Sequence, residues 1–190
     1  MIAAIVCSVL FVACVLFIYW RWTKDRDAGT LHTVVGWPKS WVPLSLFIDE
    51  TLASVQDKLE LSFGEGVDFM NKGSGLELFV PLGDVGEGYT IAILPYLEKE
   101  DDAAIMSTKV TTDKDGILKE VVIYVDDSKI AEETSELVLI RAAAHELGHC
   151  LGLDHDVFPV SVMFPRARGG DFALTPKDKE LLKALYDGRE

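Results

Sequence analysis

The hydrophobic pattern divides the chain into an apolar run, a polar tether and a patterned domain. Residues 1–20, MIAAIVCSVLFVACVLFIYW, carry no charge and are about as long as a helix that crosses a bilayer. Tyr19, Trp20 and Trp22 close the run, and Arg21, Lys24 and Arg26 follow at once, as at a membrane–water boundary. A cleaved signal peptide is the rival reading, but the basic n-region and a small-x-small cleavage pattern are both missing. The expectation is a retained single-pass anchor over residues 1–22. Residues 23–39 are polar and turn-prone, end in GWPK, and read as a tether. Residues 40–190 read as the folded domain.

Within that domain, WVPLSLFID (residues 41–49) alternates as a first strand. ETLASVQDKLELSF then sets Leu52, Val55, Leu59 and Phe63 at helical spacing, with Gly64 as the expected end. GLELFVPL and YTIAILPYL are short apolar runs bounded by glycines, the pattern of buried strands. AAIMSTKVTT and ILKEVVIYVDD form a predicted hairpin turning over residues 113–116. Asp113 and Asp115 in that turn are calcium-type ligands, but the remaining loop ligands of a calcium site are not evident, and a plain turn is the reading. TSELVLIRAAAHELGHCLG is helical, with Thr134 or Ser135 as N-cap and Gly152 as terminator. A last helix follows LTP and runs from Pro176 to Tyr186. One strand, one helix, a set of strands and two helices make an α+β domain.

Composition narrows this picture only a little. The 190 residues suit one domain with a proper core. A net charge of −13 argues against binding nucleic acid by phosphate neutralisation. Three cysteines, at positions 7, 14 and 150, give neither a disulfide framework nor a metal-type CxxC pair. Cys150 points about 100° away from His149 on the helix and reads as a small core residue.

The candidate chemistry lies in three of the four histidines, which fall within eleven residues in HELGHCLGLDH. His145 and His149 are four apart on the predicted helix, so both rings face one side, a turn apart. Gly152 lets the chain reverse, and His155 can then return as a third ligand. Three protein ligands with an open position are the catalytic zinc pattern; four would suggest a structural site. Glu146, next to the first histidine, is placed to take a proton from an activated water and deliver it to a departing amine. A lone histidine on an apolar face is usually a hydrogen-bonded core residue, but HExxHxxGxxH fixes five positions and points to one zinc ion held by His145, His149 and His155.

HELGHCLGLDH resembles the metzincin zinc signature at every fixed position, and SVMFP resembles the methionine turn that follows it. ALTPKDKELLKALYDG is similar to the C-terminal helix of matrixins, the matrix-metalloproteinase-like branch. The resemblance spans residues 137–188. It implies a twisted, mostly parallel sheet with an antiparallel edge strand, an active-site helix, a C-terminal helix and a cleft that cleaves internal peptide bonds. It also implies that Met163 lies beneath the metal and that AAIMSTKV pairs with extended substrate. Arg141 stands where matrixins set the depth of the S1′ pocket, although a simple surface residue is an equal reading. Residues 164–173, beginning with Phe164 and Pro165, would form that pocket's outer wall.

The sequence departs from the branch in several places. His32 is the only other histidine, so the second, structural zinc of matrix metalloproteinases cannot be built in the usual way. No cysteine-switch propeptide is evident. Asp156 after the third ligand is more like the adamalysin branch, and Pro165 stands where astacins carry tyrosine.

The expected function is a membrane-anchored zinc endopeptidase acting on protein or peptide substrates. A zinc-bound module without activity that displays a peptide groove, and a zinc hydrolase of a non-peptide amide, are the alternatives. Basic residues follow the apolar run and none precedes it, so the charge rule puts the domain in the cytoplasm.

Overall fold

The computed structural model describes residues 36–96, 104–130, 134–166 and 170–187. The anchor expected over residues 1–22 and most of the tether lie outside them. Among the described residues no helix is long and apolar enough to cross a membrane.

The elements are β1 (Ser45–Ile48), α1 (Gln56–Ser74), β2 (Thr90–Pro95), β3 (Met106–Thr112), β4 (Leu118–Val125), α2 (Glu136–Cys150) and α3 (Pro176–Tyr186). The strands form one four-stranded sheet in the order β1-β2-β4-β3. β1, β2 and β4 run parallel, and β3 lies antiparallel to β4 at the edge. The mostly parallel sheet with an antiparallel edge strand is therefore as expected. Alternation along β2 and β4 buries Ile91, Ile93, Leu118, Val121, Ile123 and Val125. The hairpin turns where the sequence placed it: Gly116, at φ 81°, donates to Asp113 O, and Asp113 Oδ1 accepts from the amides of Asp115 and Ile117. That carboxylate is spent on its own turn, in line with a plain turn.

Four expectations need correction. The first strand is shorter than residues 41–49, because residues Lys39–Trp41 close a 3-10 turn and Pro43 has no amide to donate. The helix expected to end at Gly64 continues to Ser74 and stops at Gly75, which takes φ 75°. The interior glycines cost about 1 kcal/mol each in helix propensity, yet the extension buries Val67 and Met70. Gly66 is also a contact point. A Cβ there would lie 3.2 Å from Leu147 Cδ1 and 3.3 Å from the Ala144 backbone nitrogen, so it lets α1 close on the alanine run of α2.

GLELFVPL is buried at its centre but is not a strand. Leu78 and Phe79 are inaccessible to solvent, and a single bridge joins Phe79 to Leu44. The Asn71 side chain takes over the missing ladder: its Oδ1 accepts from Leu78 N at 2.9 Å and Phe79 N at 3.1 Å, and its Nδ2 donates to Phe79 O.

Trp37, assigned to the tether, belongs to the domain. Its ring is buried, stacks on Tyr89 with centroids 4.6 Å apart, and donates from Nε1 to Cys150 O at 2.6 Å. Tyr186 of α3 donates its hydroxyl to Leu151 O at 3.0 Å. A helix leaves its last carbonyls without intrahelical partners, and here two side chains from distant parts of the chain satisfy the end of α2. α3 is fixed in turn by a reciprocal cap between Thr175 and Asp178, with Pro176 at its first position.

The two neighbouring glycines of α1 make opposite predictions. Gly66→Val should destabilise the domain by about 1–3 kcal/mol through overpacking against α2. Gly64→Ala, where nothing lies within 4 Å of the added carbon, should stabilise it by up to about 1 kcal/mol. Chemical denaturation of the two variants reads both signs.

Candidate metal centre

α2 begins at Ser135, whose hydroxyl accepts from Val138 N, and it ends through the reversal the sequence predicts. Leu153 N returns to Gly148 O at 3.0 Å and Gly152 N to His149 O at 3.0 Å, with Gly152 at φ 87°. That αL cap swings the chain back across the helix end. His155 thereby joins His145 and His149, and one ring nitrogen from each lies within 4.8 Å of the others.

The hydrogen bonds fix which nitrogen faces inward. His145 Nδ1 lies 2.8 Å from Val162 O, and His149 Nδ1 lies 2.8 Å from Leu153 O. A carbonyl only accepts, so each Nδ1 carries the hydrogen and each Nε2 keeps its lone pair. His149 Nε2 is 3.1 Å from His145 Nε2 and 3.2 Å from His155 Nε2. Two lone pairs at that distance repel unless a cation lies between them. Tetrahedral ligands at about 2.0–2.1 Å from zinc stand roughly 3.3–3.4 Å apart, so the trio fits the ion.

The electrostatics agree with this assignment. Burial lowers the pKa of His145 and of His155, and it takes His149, with the other two rings adding to the effect, down to about 3. The rings are thus held neutral, the form that ligates a metal. Glu146 is buried on the same helical turn, and burial pushes its pKa up to about 7. Thr108 of β3 works against that rise. Its hydroxyl donates to Glu146 Oε2 at 2.7 Å and lies 3.3 Å from Glu146 O.

Met163 is buried beneath the histidine helix, and a Cβ on Gly148 would fall 2.3 Å from its sulfur. A side chain at this glycine of HELGH would therefore force Met163 to shift. Cys150 is a fully buried core residue, and burial raises its thiol well above the usual range.

Arg141 is not the surface residue that was one of its two readings. It is 2 % exposed, and its Nη2 donates to Pro159 O at 2.7 Å and Ser161 O at 2.9 Å. Its guanidinium carbon lies 5.6 Å from the centre of the Phe172 ring. The side chain thus runs beneath the loop that follows the third histidine. Phe164 is half-buried and Pro165 exposed, beyond the methionine turn.

Sequence reasoning missed Thr108, Trp37 and Tyr186. Thr108 had one local signal, its place in the predicted edge strand. Nothing in the sequence pairs Trp37 or Tyr186 with the end of α2.

The matrixin family of M10 peptidases matches residues 22–187. The chain belongs to that family. Similar proteins include matrilysin of Rattus norvegicus, 43% identical over 60 residues, or 30% of this chain and 22% of that protein. Matrilysin of Mus musculus is 40% identical over 60 residues, again 30% of this chain and 23% of that protein. Metalloendoproteinase 5-MMP of Arabidopsis thaliana is 39% identical over 62 residues, 32% of this chain and 17% of that protein. The matches thus span about a fifth of the length of these relatives.

Metal should act as a folding ligand. Zinc a thousandfold above its Kd should raise the unfolding free energy by about 4 kcal/mol, read as an upward shift in calorimetry. Elemental analysis should find equimolar metal in the unsubstituted protein, and His149→Ala should abolish both that metal and the shift.

Proposed function

We propose that the chain is a membrane-tethered zinc endopeptidase. The observation that carries this reading is the convergence of three Nε2 atoms beside a buried carboxylate one residue from the first ligand. His145, His149 and His155 would hold the zinc, which when bound polarises a substrate carbonyl and acidifies water. Glu146 accepts the proton of the attacking water and returns it to the amine nitrogen that departs. A buried carboxylate is costly, and a module that only displayed a peptide groove would have no use for one here.

β3 supplies the link to substrate. As an edge strand it can pair with an extended peptide through main-chain hydrogen bonds, and through Thr108 it also holds Glu146. One strand thus sets both the register of the peptide and the aim of the base. Arg141 and the segment beginning with Phe164 and Pro165 are assigned to the floor and outer wall of the substrate pocket. The apolar run of residues 1–20 confines the enzyme to a bilayer, where neighbouring proteins are met at high effective concentration.

Glu146→Ala should keep the metal and lower kcat by about 10²–10⁴-fold in cleavage of an unfolded protein. Full activity in that variant would remove Glu146 from the mechanism. Thr108→Val should cost about tenfold in kcat with KM and metal content unchanged, the loss expected for one hydrogen bond to a charged group. Thr108→Ser should restore it.

The basic residues after the apolar run support a cytoplasmic side for the domain. Protease added to sealed cells should leave the domain intact and should degrade it once the membrane is opened.

A further inference from the structure

Ten large apolar side chains are exposed among the described residues. Three of them, Val157, Phe158 and Val160, fall within four consecutive positions, at 59, 61 and 64 % exposure. Single exposed hydrophobics such as Val85 are ordinary, whereas three within four positions of one loop are a candidate contact surface. The backbone of this loop is tied down. Phe158 N donates to Asp156 Oδ1 at 3.1 Å, Ser161 N to Phe158 O at 2.9 Å and Asp156 N to Met163 O at 2.8 Å. From below, the buried Arg141 guanidinium takes the carbonyls of Pro159 and Ser161. The loop therefore turns its carbonyls to the protein and holds three apolar side chains out to solvent.

We propose that this loop seats in the surface of the bilayer to which the chain is tethered, with Val157, Phe158 and Val160 entering the boundary between headgroups and acyl chains. The inference rests on the membrane-tethered reading above. Fifteen residues, 21–35, separate the apolar run from the first described residue. Fully extended they span about 50 Å, against a diameter of roughly 40 Å for a domain of this size. That contour length exceeds the diameter, so the number of intervening residues imposes no one face on the lipid and the surface chemistry favours this loop. The net charge of −13, with Asp154 and Asp156 beside the loop, opposes anionic headgroups. The contact is accordingly with the zwitterionic lipids of that surface and comes from entry of apolar side chains, with no attraction to its anionic headgroups, as with other shallow interfacial anchors. Val157 is two residues from His155, so seating would bring the metal site to the bilayer surface. The substrate class that follows is extended protein segments lying next to the membrane.

The test uses the full chain in phosphatidylcholine vesicles, with a tryptophan reporter at Phe158→Trp and a second at Val157→Trp. The emission added by each reporter, relative to the unsubstituted chain, should be largely lost when the acyl chains carry bromine. The triple variant Val157→Ser, Phe158→Ser, Val160→Ser should cleave a soluble peptide at the original rate and a lipid-anchored peptide several-fold more slowly. If the chain resists alkaline extraction from the vesicles but neither reporter is quenched, the loop proposal falls and the tether stands. If the reporters respond to soluble peptide and not to brominated lipid, the loop belongs to the substrate cleft and the proposal falls. If the chain is extracted at alkaline pH and the reporters are not quenched, tether and loop fall together.

Discussion

A metal site of this kind depends on aiming three imidazoles at one point, and a ring is aimed only when its other nitrogen is held. Here the holding is done by backbone. Val162 O takes His145 Nδ1 and Leu153 O takes His149 Nδ1, so two carbonyls fix the orientation of two rings and both of their tautomers. Those carbonyls belong to irregular segments, the reversal after α2 and the methionine turn. Moving either segment would turn a ring away from the centre. The positive φ of Gly152 and the close contact between Gly148 and Met163 are therefore conditions on the site as much as on the fold.

The rest of the domain holds the histidine helix at both ends and along one side. Trp37 and Tyr186 satisfy the carbonyls of Cys150 and Leu151, where a frayed helix end would loosen His149 and the reversal beyond it. Gly66 and the alanines of α2 bring two helices into close contact, leaving little room for α2 to slide. Thr108 ties the opposite side to the edge of the sheet through the side chain of Glu146. Strand, helix and reversal meet at Glu146 and the three histidines.

What could be read from the sequence was what local chemistry decides. α2 and α3 begin and end where expected because Ser135, Gly152, Thr175, Pro176 and Asp178 act on backbone groups a few residues away. The convergence of the three histidines was legible for the same reason, since a four-residue helical repeat and a glycine reversal are both local geometry. The misread elements were decided by distant partners. α1 runs through Gly64 because Val67 and Met70 find a core beyond it. GLELFVPL lies extended without becoming a strand because an asparagine from α1 takes its amides. Trp37 looked like tether because its acceptor, Cys150 O, is 113 residues away in the chain.

Arg141 shows how a single helix can serve the metal and the surface at once. A buried guanidinium is costly unless its donors are met, and here two carbonyls of the loop after His155 meet Nη2, while the Phe172 ring lies near the guanidinium. The loop in this conformation thus contributes to stabilising the charge, and α2 holds the loop through Arg141 as it carries His145 one helical turn further on. Anything that seats the loop is transmitted to a helix already fixed by its ligands, its caps and its glycine contact with α1. The apolar tip can then rest against a soft surface without disturbing the imidazole of His155 two residues upstream, because the compliance lies in the partner and the stiffness in the protein.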